Sequence, residues 1–437
     1  MGATFRIVGA AACALLLAKT ALSAEWATAP ASGSGLHLEE AVQLALTRNE
    51  RPKISDLNVV VADAAIERAR SAFLPVLSAA GSDQQHTYAA TAKNPNNLGN
   101  ASVTVNQPIV NASAFPLYSQ AKNLSEAQRA QTVDDKRVLA FTTAGAFFAV
   151  LNAQDVVQAA QEALETAKAN VADTQARAQS GLTSTNDVTR AAIDMASSVR
   201  EVEVDKGALE NALLQLEFVL NAPVSGPLVS PAATLAAAQQ SIAGVDSLVA
   251  FAIAHRPDVL ASRYSLVAAR DFAAEPLLRI VPVLGLEGQA TATTSSGATG
   301  RWHDELVQAT LTWTLYDAGV RYADKRSRDA QAEIADLTLR QLARSVDAQV
   351  RSAAALLLAE QAALRAAADA VSASRQSVEE TAILYGQGLA KAIELVDAND
   401  QRFLAEVNHA SAEFAVAQAY LSLRQAIGLG PLGTELK

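Results

Sequence analysis

The chain has a single cysteine, Cys13, and aromatic residues make up only 5% of its 437 positions. Cys13 lies in an N-terminal stretch that reads as a secretory signal peptide over 1–24. Arg6 is its positive start, Ile7 to Ala18 is apolar, and Ala21-Leu22-Ser23 supplies small residues before a cut near Ser23 or Ala24. That apolar run is too short to cross a bilayer as a helix. A lipoprotein reading would acylate Cys13, but the apolar run continues past it and Ala10 stands where a large aliphatic residue belongs. The mature chain then lacks cysteine, which excludes disulfides, thiolate metal sites and thiol catalysis.

Catalytic signals are equally sparse. His37, His86, His255, His303 and His409 are scattered with no metal-ligand spacing. Gly428-Leu429-Gly430-Pro431-Leu432-Gly433 fits the dinucleotide pattern letter by letter, yet it ends a helical stretch instead of following a strand, so it reads as a helix stop. No nucleophile elbow or phosphate loop is present. The sequence implies no enzyme, no cofactor and no metal. Loss of Arg6 and Lys19 with the signal takes the formal charge from -10 to -12, a poor balance for binding nucleic acid. No later segment is an apolar helix of membrane length: 346–371 is interrupted by Asp347, Arg351, Glu360 and Arg365. Membrane entry, if any, requires strands.

What is present is helical periodicity in two copies. Half of the residues are hydrophobic, with long stretches rich in Ala, Leu, Val, Gln and Glu. Val150, Val157, Leu164 and Val171 recur every seven residues, and Leu357, Leu364, Val371 and Val378 repeat that line 207 residues later. Breakers repeat as well: Arg51-Pro52 with Arg256-Pro257, Leu74-Pro75 with Val281-Pro282, and Gly181 with Gly388. A shared period with matched breakers marks an internal duplication.

The plan predicts a first structural repeat over 25–222, a connector over 223–244, a second repeat over 245–430 and a tail over 431–437. Within the first repeat, two strands fall at about 76–110, where Asn94-Pro95-Asn96-Asn97 marks the turn, followed by a long helix at about 112–179 and a helix at about 184–220. The second has strands within 283–316, read as 283–293 and 307–315, a long helix at about 318–385 and a helix at about 393–427. Trp302 and His303 are read as loop residues. The fold class is mainly α with a small β part, on a duplicated strand-strand-helix-turn-helix plan. Each long helix spans roughly 100 Å at 1.5 Å per residue. Four strands are too few to close a membrane barrel, so several chains must pool theirs.

The turns between the long and shorter helices are the candidate site. Tyr385-Gly386-Gln387-Gly388 ends one helix, and Glu394 and Asp397 begin the next, three residues apart. Its earlier copy is Ser180 to Val188, with Asp187 in the place of Glu394. Two readings of the carboxylates stand: acids favoured by a helix N-terminus, or a ring facing a pore. Tyr385 reads as either site residue or end of a heptad line, and Trp313 as either a membrane-interface aromatic or an ordinary strand residue.

In this plan, in the Leu-Pro and Val-Pro pairs before the strands and in Leu315-Tyr316-Asp317-Ala318-Gly319 at a strand-to-helix junction, the chain resembles the TolC-type outer-membrane factor family over nearly its whole mature length. That resemblance implies a homotrimer with a 12-stranded barrel in outer-membrane lipid and a helical tunnel in the periplasm. It also implies docking to a periplasmic adaptor and to an inner-membrane pump or ABC exporter, as the passive conduit of a tripartite efflux or type I secretion system. It places Glu394 and Asp397 at the pore constriction of an iris-like gate, Tyr385 at the gate latch, and Asn186 and Asp187 at the latch partners. Ala390 stands where relatives carry an Arg, leaving Lys391 as the available cation. The competing reading is a periplasmic coiled-coil scaffold without a pore.

Overall fold

The computed structural model describes residues 35–85, 87, 97–224, 226–242, 244–294 and 301–432. The signal segment, His86, the turn at Asn94-Pro95-Asn96 and the tail from Gly433 lie outside them.

The described chain is built twice from one series of elements. In the first half these are α1 (Leu38–Arg48), α2 (Glu50–Arg70), β1 (Val76–Gln85), β2 (Asn97–Val110), α3 (Ala114–Gln179) and α4 (Thr185–Leu220). After α5 (Ala232–Ala238) the second half runs α6 (Val245–His255), α7 (Pro257–Leu278), β3 (Val283–Thr293), β4 (His303–Thr312), α8 (Val320–Gly386) and α9 (Ala392–Ile427). Each element from α6 onward starts 206 or 207 residues after its counterpart, so the duplication read from heptads extends to every helix and strand except α5.

Two details differ from the sequence reading. The connector contains α5, because the Ala-rich run after Pro231 is a strong helix former and buries Ala238 completely. Strand β4 begins at His303, paired with Ala292, and stops at Thr312 instead of Leu315. Beyond it, the Trp313 indole donates to the Ile280 carbonyl and Arg321 donates to the Leu315 carbonyl, which draws the chain out of the ladder toward α8. Pro116 sits in the first turn of α3, where its missing N–H would have no helical partner anyway.

The shorter helices pack along the long ones, joined end to end. Helices α2 and α4 both lie on α3, and they meet where Asn49 donates to the Val219 carbonyl and Asn221 donates to Glu50. Helices α7 and α9 both contact α3 and α8. At their junction Arg256 donates to the Ala426 carbonyl and Arg137 donates to the Gln425 carbonyl. Two buried guanidinium groups thus bond carbonyls in the last turn of α9, at the negative pole of its dipole; the Gln425 carbonyl also accepts from the Gly428 N–H. The buried core gathers at these junctions, around Phe147, Leu216 and Leu220 in one half and Val346, Val350 and Leu357 in the other.

The sheet contrasts with this core. Its order is β1-β2-β3-β4, antiparallel throughout. The outer strands β1 and β4 are exposed at every residue, and neither edge has a partner among the described residues. On these strands Leu77 is 70% exposed and Val307 76%. A sheet with apolar residues open on its surface and both edges bare is not a self-sufficient unit in water.

Candidate functional site

Each long helix ends in a tight turn made by a left-handed glycine, Gly181 at φ 71° and Gly388 at φ 77°. In both turns an N–H reaches back five residues: Leu182 to the Arg177 carbonyl and Leu389 to the Leu384 carbonyl. This closes the last helical carbonyls and reverses the chain.

The next helices start differently. Ser184 caps α4: its hydroxyl accepts from the Asn186 N–H, while Asp187 Oδ2 accepts from the Ser184 N–H at 3.2 Å and from the Thr183 hydroxyl at 2.7 Å. These bonds, the Thr183 contact foremost, hold the Asp187 carboxyl below its ordinary pKa. Lys391 occupies the corresponding place before α9 and gives no side-chain cap. The equivalent acid Glu394 therefore has no cap to close. Glu394 and Asp397 are exposed, and their side chains make no hydrogen bond or ion pair among the described residues. Although 207 residues make Asp187 and Glu394 equivalent in sequence, the capping chemistry separates them.

Tyr385 lies between the two turns, 9% exposed. Its ring faces the Arg177 guanidinium at 4.2 Å, and Arg177 also donates to the Tyr385 carbonyl at 3.3 Å while pairing with Asp173 at 2.9 Å. The phenolic oxygen is buried beside Thr174 and Asp173 without a hydrogen bond of good geometry, and burial pushes its pKa up. It borders a cavity of about 50 Å³, lined also by Asp173, Thr174, Asp187 and Arg190.

The structure thus brings Tyr385 and Asp187 to one cavity, but no bond joins them. Asn186 and Lys391 are exposed, and their side chains make no hydrogen bond to Tyr385 among the described residues. The cation that does contact Tyr385 is Arg177, which the sequence reading missed. A signal was available: Arg177 precedes Tyr385 by 208 residues, within one position of the repeat, so the two end their helices at the same level.

At the other end of the long helices, Trp313 is 56% exposed just beyond β4. Groups of His, Cys, Asp or Glu able to hold a metal ion are absent among the described residues.

Comparison with known proteins gives a consistent picture. The family model described as "Outer membrane efflux protein" matches residues 41–222 and 248–429. The outer membrane protein TolC of Vibrio cholerae is 24% identical over 375 residues, covering 83% of this chain and 84% of the relative. TolC of Escherichia coli is 23% identical over 386 residues, covering 84% and 77%. Among solved structures, CusC, described in terms of folding and transmembrane channel formation, superposes with a TM-score of 0.78 at 17% identity over 90% of this chain and 92% of its own. At that identity the superposition speaks for the fold.

Proposed function

The chain belongs to the outer membrane efflux protein family, and from that premise we propose that three copies pool their sheets into one closed barrel and their helices into one tunnel, forming a passive conduit. The observation that carries this reading is the uncovered sheet. Its strands have 10, 14, 11 and 10 residues, the length that tilted strands need to cross a bilayer. Bare edges are excluded from lipid, so β1 of one chain must pair with β4 of the next. A scaffold without a pore leaves both edges and the apolar surface unexplained.

The hairpin turns then lie roughly 100 Å from the strands, the length of α3 or α8. At that distance they form the periplasmic gate, the end to which an adaptor and an inner-membrane pump or exporter dock. Glu394 and Asp397 furnish the exposed acids of the constriction. The chemistry is that of a channel: the family's members are conduits, not enzymes.

The test uses the cysteine-free mature sequence. Within one chain β1 and β4 are three strand spacings apart, about 14 Å, too far for a disulfide. Ala80→Cys is combined with single cysteines scanned along β4. Oxidation gives covalent dimers and trimers if the edges of neighbouring chains pair. Monomers alone at every scanned position refute the pooled barrel.

A further inference from the structure

The boundary between sheet and helices carries charge and aromatic groups in a fixed order. On α3, Phe115 is 63% exposed and Lys122 follows seven residues on, the same face two turns away. On α8, Tyr322 is 60% exposed and Arg326 follows four residues on. At the end of α2, exposed Arg70 precedes Leu74, 46% exposed, by the same interval. Trp313 and Tyr316, 56% and 83% exposed, complete the aromatic level where β4 leaves the sheet. Two helices, and the end of a third with the segment that follows it, thus place an exposed apolar or aromatic side chain next to the strands and a cation four or seven residues away.

These cations are available. Arg68, Arg70, Lys122 and Arg326 are exposed, and their side chains form no hydrogen bond or ion pair among the described residues. The acids around them are mostly engaged: Glu275 with Arg279 and Arg328, Asp317 with Arg321, Asp324 with Arg279 and Asp329 with Lys325. Glu67 alone among the acids of this boundary has no partner in the described residues. On the strand side, the half of the sheet nearest the helices has one acid, Glu287, which accepts from Gln308. A nearly uncharged band therefore gives way to a surplus of unpaired cations.

We propose that this collar binds the phosphate groups of anionic phospholipids in the leaflet facing the periplasm. The inference rests on the membrane reading above. Lys122 lies about 12 Å and Arg326 about 9 Å along their helices from the helix start. Long side chains reaching back from there place their charges in a headgroup layer while the aromatic rings mark its inner limit.

The test reconstitutes the full-length oligomer into nanodiscs of phosphatidylcholine and phosphatidylglycerol in equal amounts, then re-extracts it and quantifies the lipid it retains. Each cation near an anionic surface is worth about 1 kcal/mol, roughly a fivefold preference. The retained lipid of the wild type is expected to be enriched several-fold in phosphatidylglycerol. The R70Q/K122Q/R326Q variant is expected to return to the bulk ratio, and R70K/K122R/R326K to keep the enrichment. A wild type at the bulk ratio, or a neutralised variant as enriched as the wild type, overturns the collar while leaving the channel reading intact. A chain that fails to enter nanodiscs at all overturns both.

Discussion

Replacing Arg177 by Gln should loosen the contact between the two hairpins, whereas replacing Tyr385 by Phe should leave it intact. The Arg177 guanidinium lies 4.2 Å from the Tyr385 ring centre and 3.3 Å from its carbonyl oxygen. A cation over an aromatic face contributes roughly 0.5–2 kcal/mol, and a partly exposed site such as this one falls in the lower part of that range. With the long hydrogen bond added, Arg177→Gln should cost about 1–2 kcal/mol per chain, a shift of roughly 5- to 30-fold toward separation of the two hairpins. The Tyr385 hydroxyl is buried beside Thr174 and Asp173 without a hydrogen bond of good geometry, so its removal takes away at most a weak contact and relieves a desolvated polar atom. Phe keeps the ring and hence the contact with Arg177. Conductance across planar bilayers reads both: Arg177→Gln raises the open fraction, Tyr385→Phe leaves it at or below wild type, and Arg177→Lys falls between. A Tyr385→Phe channel as leaky as Arg177→Gln refutes the reasoning, because the hydroxyl would then hold the hairpins.

At the proposed constriction, Glu394→Gln combined with Asp397→Asn should lower cation preference and weaken block by multivalent cations; an unchanged reversal potential in a salt gradient sinks the acid ring. Gly428→Ala should destabilise by about 2–4 kcal/mol, since it adds a left-handed alanine to a collision. The added Cβ would stand 2.9 Å from Arg256 Cγ and 3.3 Å from Arg256 Cα, at φ 89°. Gly388→Ala, at φ 77° with nothing within 4 Å, carries only the backbone cost of about 1 kcal/mol. Denaturant midpoints should rank them in that order, and equal losses would show that Arg256 yields freely. The α4 cap should weaken in acid: the Asp187 pKa is lowered by folding, so its contribution is full above the ordinary carboxylate range and is lost as pH falls through the lowered value. Hydrogen exchange at Ser184, corrected for its intrinsic rate, should accelerate over that window in the wild type and show no such acid-dependent step in Asp187→Ala.

The fold is legible in the sequence where one physical period persists over many residues, and illegible where a single side chain decides. Heptad lines and their recurrence place all the long helices to within two residues, because seven-residue spacing over some sixty positions leaves little freedom of register. For strand β4, alternation errs by four residues at the start and three at the end, since it continues through Trp313 and Leu315 while their backbone partners lie outside the ladder. The candidate site shows the same division. The repeat points to two glycine turns, where Gly181 and Gly388 are left-handed, yet it also suggests that Asp187 and Glu394 do equivalent work. They do not, because the residue three positions earlier differs. Ser184 turns one acid into a cap, whereas Lys391 leaves the other exposed. Duplication supplied two similar hairpins in backbone terms, and one difference at a helix start was enough to make one acid a cap and leave the other without that bond. The cation beside Tyr385 follows the same logic in reverse. With Ala390 offering no charge after the turn, the guanidinium comes from the end of α3, through Arg177, so a partner sought along the sequence is found across the repeat.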